Sequence, residues 1–282
     1  MTVQAFSGKL AFVSGAASGI GRAIAEEFGR RGLHVVVADI DLEGAERIAA
    51  GITNASAVKL DVRDEDSWVK ALDLADSRHG ALSVLVSNAG VAGSSIPLSE
   101  TPFKAWEWSR SVNLDGAFLG LSHGARRIIA SGEPGHIVAT SSMSIFAPPE
   151  GMAIYVAMKS AVLALCEALR HELAPHSIGV SALLPGPVHT SLLEANVGRA
   201  PSGVEIEQRE DLIRMLQQGK DPAAVGRQVA DALGTNQFWL FTHPELEHRI
   251  DTRNAEMKLA LHDACLTKYS GESLIDDDSE RE

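Results

Sequence analysis

Short apolar runs alternate along the chain with longer amphipathic stretches, and this alternation sets the expected fold. "KLAFVSG" (9–15) is apolar and closed by glycine, the pattern of a buried strand. "GRAIAEEFGRRG" (21–32) follows at helical spacing and stops at a glycine. "HVVVAD" (34–39) and "SAVKLDV" (56–62) read as strands, separated by the helical "LEGAERIAAGI". "DEDSWVKALDLADSRHG" reads as a helix with acid in its first turn, where the helix dipole favours it. "LSVLVSNAG" (82–90) is a fourth strand, one long helix is expected over 102–131, and "GHIVATSS" (135–142) is a fifth strand. A helix over 154–173 then leads to strand patterns at 178–186 and 238–243. Such alternation implies right-handed crossovers in an α/β fold, with one doubly wound parallel sheet of about seven strands and helices on both faces. No second core, repeat or low-complexity linker interrupts it, so a single domain over 1–270 is expected, with a lid near 190–220 and an acidic, disordered tail at 271–282.

Ligands of such sheets bind outside the carboxyl ends of the strands, so the strand-ending residues carry the functional question. The first strand runs into "SGAASGIG" (14–21). Gly15 permits a tight turn, Gly19 lets backbone approach a phosphate, and Gly21 lets the helix pack close. Ser18 and Ile20 complete this turn, whose helix N-terminus would face a pyrophosphate. A glycine-rich turn alone is weak testimony, since it also makes a plain turn. Asp39 strengthens it: a carboxylate ending the second strand can accept hydrogen bonds from both adenosine ribose hydroxyls. It would also repel a 2′-phosphate, and neither Ile40 nor Asp41 supplies a compensating cation. Ser18 stands where an arginine or lysine would help such a phosphate, which favours NAD over NADP. A helix N-cap is the plainer role for Asp39, though Asp41 could serve as well. Asp61 and Val62 end the third strand pattern and suit an adenine edge and face; Asn88, Ala89 and Gly90 end the fourth and leave room for a sugar.

Tyr155 and Lys159 lie four residues apart, on one face of the expected 154–173 helix. A free phenol, with pKa about 10, is a poor base at neutral pH, and a nearby cation favours its ionised form. Lys159 would be that cation, and an oxidised nicotinamide ring a second. For an isolated pair of this spacing, ordinary packing is the more common explanation. Here Ser142 ends the fifth strand and could hydrogen-bond a substrate oxygen, while Asn113 interrupts an apolar helical pattern and could hold a water near Lys159.

Taken in order, "SGAASGIG", "LDV", "NAG", "VN", "SS", "YVAMK" and "PGPVHT" resemble the short-chain dehydrogenase/reductase family in its classical subfamily, over residues 9 to about 190. The resemblance implies a Rossmann-type fold and a catalytic set of Asn113, Ser142, Tyr155 and Lys159. It implies that Tyr155 and Lys159 also meet the cofactor, with Lys159 on the nicotinamide ribose, and that Pro185, Gly186, Val188 and Thr190 line the nicotinamide side. It implies Tyr-assisted hydride transfer between a secondary alcohol and its ketone, and a dimer or tetramer joined through the two long helices. The departures are mild: Ser14 replaces a usual threonine, Ser87 a common asparagine, and Met158 a common serine.

Composition narrows the alternatives. A net charge of −12 with no Lys/Arg cluster argues against a nucleic-acid partner. No apolar run is long enough to span a membrane, no signal peptide is evident, and the two cysteines, Cys166 and Cys265, have no metal-ligand spacing; a cytoplasmic enzyme without metal is the expectation. Met143, Phe146, Met152 and Leu192 lie in variable loops and suggest a bulky apolar or aromatic alcohol as substrate. The residues after 221 exceed what the family's minimum needs and resemble the endings of members acting on aryl or lignin-derived alcohols. A biosynthetic NADPH-dependent carbonyl reductase is the enzymatic alternative, and a nucleotide-sensing regulator the non-enzymatic one.

Overall fold

The structure, a computed structural model, describes residues 3–93, 95–193, 198–204 and 209–267, without the side chains of 264–267. The expected acidic tail, two stretches of the expected lid and the Cys265 side chain lie outside the described residues. Seven strands are present: β1 (Leu10–Ser14), β2 (His34–Asp39), β3 (Ala55–Lys59), β4 (Leu82–Ser87), β5 (Gly135–Thr140), β6 (Ile178–Leu184) and β7 (Trp239–Phe241). They form one parallel sheet in the order 3-2-1-4-5-6-7. The order reverses between β1 and β4, so their carboxyl ends diverge into a crevice.

Both sheet faces are covered. On one face lie α1 (Gly19–Arg30), α2 (Leu42–Ala50) and α8 (Pro222–Ala232), sharing a core with Ala11, Val13, Val35, Val37, Val84 and Val86. On the other lie α3 (Glu65–His79), α4 (Phe103–Arg110), α5 (Gly116–Ser131) and α6 (Ala153–Leu173). Complete burial of β1, β2, β4 and β5 except at His34 explains why those segments read as unbroken apolar runs. On α5, Gly116, Gly120 and Gly124 recur once per turn, and a Cβ there would strike Val62, Trp68 and Leu85 respectively. The helix therefore lies close against the sheet. Trp68, fully buried, donates its indole N–H to Val62 O at 3.0 Å and packs on Phe12.

Two sequence expectations differ in detail. β3 stops at Lys59, so Asp61 and Val62 lie in the loop beyond it rather than in the strand. The long helix expected over 102–131 is broken by a π-helical turn, Ser111–Asp115, between α4 and α5. Within that turn lies Asn113, whose buried side chain bonds the Val91 backbone.

The chain divides into two compact units at Thr242. The first carries the whole sheet and α7 (Glu210–Gln217). The second contains the 3-10 turn Pro244–Leu246 and the helix α9 (Glu247–Thr267).

His136 sits inside the first unit, 1% exposed, with its ring bonded to the Ser181 hydroxyl at 2.9 Å and accepting from Gly234 N–H at 3.3 Å. Burial pushes its pKa down to about 4. A base whose folded pKa lies below its unfolded value, about 6.5, takes up protons on unfolding. Its contribution to stability is whole above pH 6.5 and is lost progressively toward pH 4. By pH 5 the loss is about 2 kcal/mol. Urea midpoints measured between pH 7.5 and 5 should fall accordingly, and His136→Gln, though less stable at pH 7.5, should lose less over that interval.

Candidate active site

The crevice between β1 and β4 is framed by a hydroxyl. Ser14 Oγ donates to Val86 O at 3.3 Å and accepts from Asn88 N–H at 3.0 Å and Ala89 N–H at 3.3 Å. The Ser-for-Thr departure thus keeps the one group this corner uses. Asn88 Nδ2 donates to Ser14 O at 3.2 Å and Gly15 O at 3.3 Å, and Asn88 Oδ1 accepts from the Thr140 hydroxyl at 3.2 Å. The carboxyl ends of β1, β4 and β5 are therefore tied to one asparagine.

The glycine turn has little spare room. Gly15 adopts φ +67°, the left-handed region, and a Cβ on Gly21 would lie 2.2 Å from Gly15 O and 2.6 Å from Asn88 Nδ2. Ser18 precedes α1 without making a side-chain cap bond, so the amides of Gly19, Ile20 and Gly21 at the helix start face the crevice uncapped. Thr190, from the segment after β6, comes against Gly19. Gly186 N–H donates to the Thr242 hydroxyl at 3.0 Å, Pro185 O accepts from Met143 N–H at 2.9 Å, and Val188 is buried and bridges to Lys220.

Asp39, 5% exposed, accepts from Ala17 N–H at 3.0 Å on one carboxylate oxygen and from Asp41 N–H at 3.0 Å on the other. It fastens the glycine turn from the side, while Asp41 caps α2 through Gly44 N–H at 3.0 Å. The two acids have thus separated their roles, and the cap reading belongs to Asp41. One cation was not visible in the sequence: Arg199 lies 3.9 Å from Asp39 Oδ1. It comes from the segment after β6, 160 positions away in the chain, so no local pattern announced it. Asp61, expected to meet adenine, pairs with a neighbouring cation. Arg63 binds its carboxylate at 2.6 and 2.9 Å and holds its pKa below the ordinary value. Val62 packs against Gly116.

Two of the residues expected to carry chemistry, Asn113 and Lys159, meet at Gly90. A Cβ there would lie 2.8 Å from Asn113 Oδ1 and 3.3 Å from Lys159 Nζ. Asn113 accepts from Val91 N–H at 3.0 Å and donates to Val91 O at 2.9 Å and to Ser109 Oγ at 3.2 Å. Its side chain thereby joins the backbone after β4 to the Ser109 hydroxyl. Lys159, 4% exposed, donates to Thr140 O at 2.9 Å, and its own carbonyl accepts from Ser141 Oγ at 2.8 Å. Its Nζ stands 5.8 Å from the centroid of the Tyr155 ring, and Tyr155 is hydrogen-bonded to Ser142.

Lys159 and an oxidised nicotinamide ring were together expected to bring the phenol of Tyr155 down. In the protein alone, burial raises it above its ordinary value, with the Ser142 hydrogen bond acting the other way. Burial also pushes Lys159 down to about 8. Desolvation disfavours the charged form of each, so the protein's own groups leave Tyr155 protonated and Lys159 readily discharged.

Two apolar clusters flank these groups. One gathers Ala92, Leu193 and Leu212 with Met152, Leu192 and Leu216; the other gathers Val91, Trp108, Ile154 and Val204. Trp108 is core, and Trp106 packs against the same cluster.

A doubly wound sheet with a glycine turn at its switch point and an uncapped helix start is a dinucleotide-binding architecture. The chain belongs to the short chain dehydrogenase family, whose model matches residues 9–199. It is 31% identical over 257 residues to the C alpha-dehydrogenase of Sphingobium sp. (strain NBRC 103272 / SYK-6), covering 87% of this chain and 84% of that protein. It is 33% identical over 251 residues to 1-deoxy-11-beta-hydroxypentalenate dehydrogenase of Streptomyces exfoliatus, covering 86% of each. Among solved structures it resembles a short chain dehydrogenase/reductase from Burkholderia phymatum in complex with NAD, with TM-score 0.83, 29% identity, and 96% and 99% of the two chains covered. The protein is an oxidoreductase of this family, and its crevice fits a nicotinamide dinucleotide.

Gly90→Ala tests the convergence. The added methyl should displace Asn113 or Lys159 and lower kcat at least about tenfold, with circular dichroism unchanged; wild-type turnover would show that the centre does not depend on this close approach.

Proposed function

We propose that the protein is an NAD-dependent oxidoreductase that interconverts a bulky apolar or aromatic secondary alcohol and its ketone, with Tyr155 as the acid–base group. The observation that carries this reading is the gathering of Ser142, Tyr155, Lys159 and Asn113 at the carboxyl end of the sheet, beside an uncapped glycine turn. When bound, the dinucleotide would supply the hydride-exchanging carbon and, in its oxidised form, a positive ring near the phenol. The uncapped amides of Gly19, Ile20 and Gly21 would hold its pyrophosphate, Asp39 the adenosine ribose, and Lys159 the nicotinamide ribose.

In the oxidative direction the Tyr155 phenolate takes the hydroxyl proton of the alcohol, and Ser142 donates to the same oxygen as it becomes a carbonyl. Lys159 favours the phenolate and, with a pKa near 8, can itself release or accept a proton around neutral pH. Asn113 fixes the Val91 backbone next to Gly90, which Lys159 Nζ approaches closely. The apolar clusters around Met152 and Leu192 favour a bulky hydrocarbon or aryl substituent over a sugar.

A reductase using NADPH is the second reading, and Arg199 is the observation that favours it, because a guanidinium beside Asp39 softens repulsion of a 2′-phosphate. The pair is loose and Arg199 is 41% exposed, which limits its worth to about 1 kcal/mol or less. Buried Asp39 therefore dominates.

Two outcomes are expected. Tyr155→Phe should lower turnover by roughly 10²–10⁴-fold while NAD still binds by calorimetry; wild-type rates in that variant would end the assignment. Wild-type kcat/KM, measured with a panel of secondary aryl alcohols, should be higher with NAD than with NADP; equality, or a higher value with NADP, would favour the second reading.

A further inference from the structure

Ser144 has no part in the reading above, yet its hydroxyl is aimed at the centre. It lies in the 3-10 turn Met143–Ile145, which Ser142 caps directly after the end of β5. Ser142 Oγ accepts from Ser144 N–H at 3.2 Å and from the Ser144 hydroxyl at 2.9 Å. A hydroxyl has two acceptor lone pairs and one hydrogen. With both lone pairs taken by Ser144, what Ser142 has left to give is its hydrogen, and Tyr155 is its partner on the far side. A hydroxyl that accepts two hydrogen bonds is polarised into a stronger donor.

We propose that Ser144 is a positioning residue, which locks Ser142 into donating its one hydrogen, to Tyr155 in the free protein and to the substrate oxygen once one is bound. The claim deepens the acid–base assignment of Tyr155 and rests on it. The backbone N–H of Ser144 would hold the turn whatever its side chain, so the hydroxyl is the separable part. Lys159 of α6 faces the phenol ring, Cys166 of the same helix acts in turn on Lys159, and burial raises Tyr155; the Ser142 bond opposes that rise. Removing the second donor to Ser142 weakens the opposing bond, so ionisation of the phenol moves upward.

The chain contains two tyrosines, Tyr155 and Tyr269. Tyr269→Phe therefore leaves Tyr155 as the sole phenol, and ultraviolet absorbance of tyrosinate follows it without any substrate. In that background, titrated with and without saturating NAD, Ser144→Ala should ionise roughly half to one pH unit higher than its parent, and Ser144→Thr should restore the parent value. With 1-phenylethanol as probe alcohol, Ser144→Ala should lower kcat roughly three- to tenfold with little change in KM. An unmoved titration in Ser144→Ala, or no restoration by threonine, overturns the proposal. If the alanine variant is unfolded by circular dichroism, a threonine variant that titrates unlike its parent overturns it too. Tyr155→Phe, run alongside, separates the two claims. Surviving turnover there defeats the acid–base assignment, whereas a dead Tyr155→Phe with Ser144→Ala titrating like its parent defeats the role of Ser144 alone.

Discussion

One hydrogen-bonded line holds the crevice and the chemistry in register. It starts at Ser14 O, passes through the Asn88 carboxamide to the Thr140 hydroxyl, and continues from Thr140 O to the Lys159 ammonium. The line crosses from β1 to β4 to β5 and ends on α6. Its members are buried or half-buried, where an unpaired polar group would be expensive, so each link is enforced by the cost of leaving it unmade. The glycine turn at one end and the lysine at the other therefore cannot drift independently.

The same burial sets the chemical character of the centre. Lys159 and Tyr155 would each be charged in their working forms, and the interior resists both charges. A surface tyrosine beside a surface lysine would feel little of the other, because water screens exposed charges. Here the interaction is unscreened but starts against a desolvation penalty, so it becomes effective when further positive charge arrives nearby. Cys166 illustrates the opposite outcome: burial pushes its thiol up to about 12, and it remains a neutral packing group one helix turn or two from Lys159.

Much of this was legible in the chain. β2 was read at its observed bounds because its uninterrupted apolar character has sharp polar edges, and the spacing of Tyr155 and Lys159 was a direct consequence of helix geometry. The π turn was not legible: the Asn113 side chain within it bonds Val91, 22 positions earlier, a partner no local pattern announces. β3 was read three residues too long because "LDV" continues its alternation, while the backbone leaves the sheet for Asp61 to meet Arg63 and for Val62 to pack under α5. Ser144 escaped attention for another reason: its hydroxyl meets Ser142 through a cap and a 3-10 turn, and no periodic pattern in the sequence announces either.

The segment after β6 does more than border a substrate site. Thr190 meets the glycine turn, Leu192 and Leu193 join the apolar cluster with Met152, and Arg199 reaches Asp39. Within ten positions it touches the regions assigned here to pyrophosphate, substrate and adenosine ribose. Lys104 of α4 hydrogen-bonds Ser202 O, which anchors the described end of this stretch to the same scaffold that carries Trp108. Under the proposed function, residues assigned to dinucleotide and to alcohol therefore share one segment of chain. The Asp39 carboxylate is buried and doubly held by backbone N–H groups, whereas its ion pair with Arg199 is loose and half-exposed.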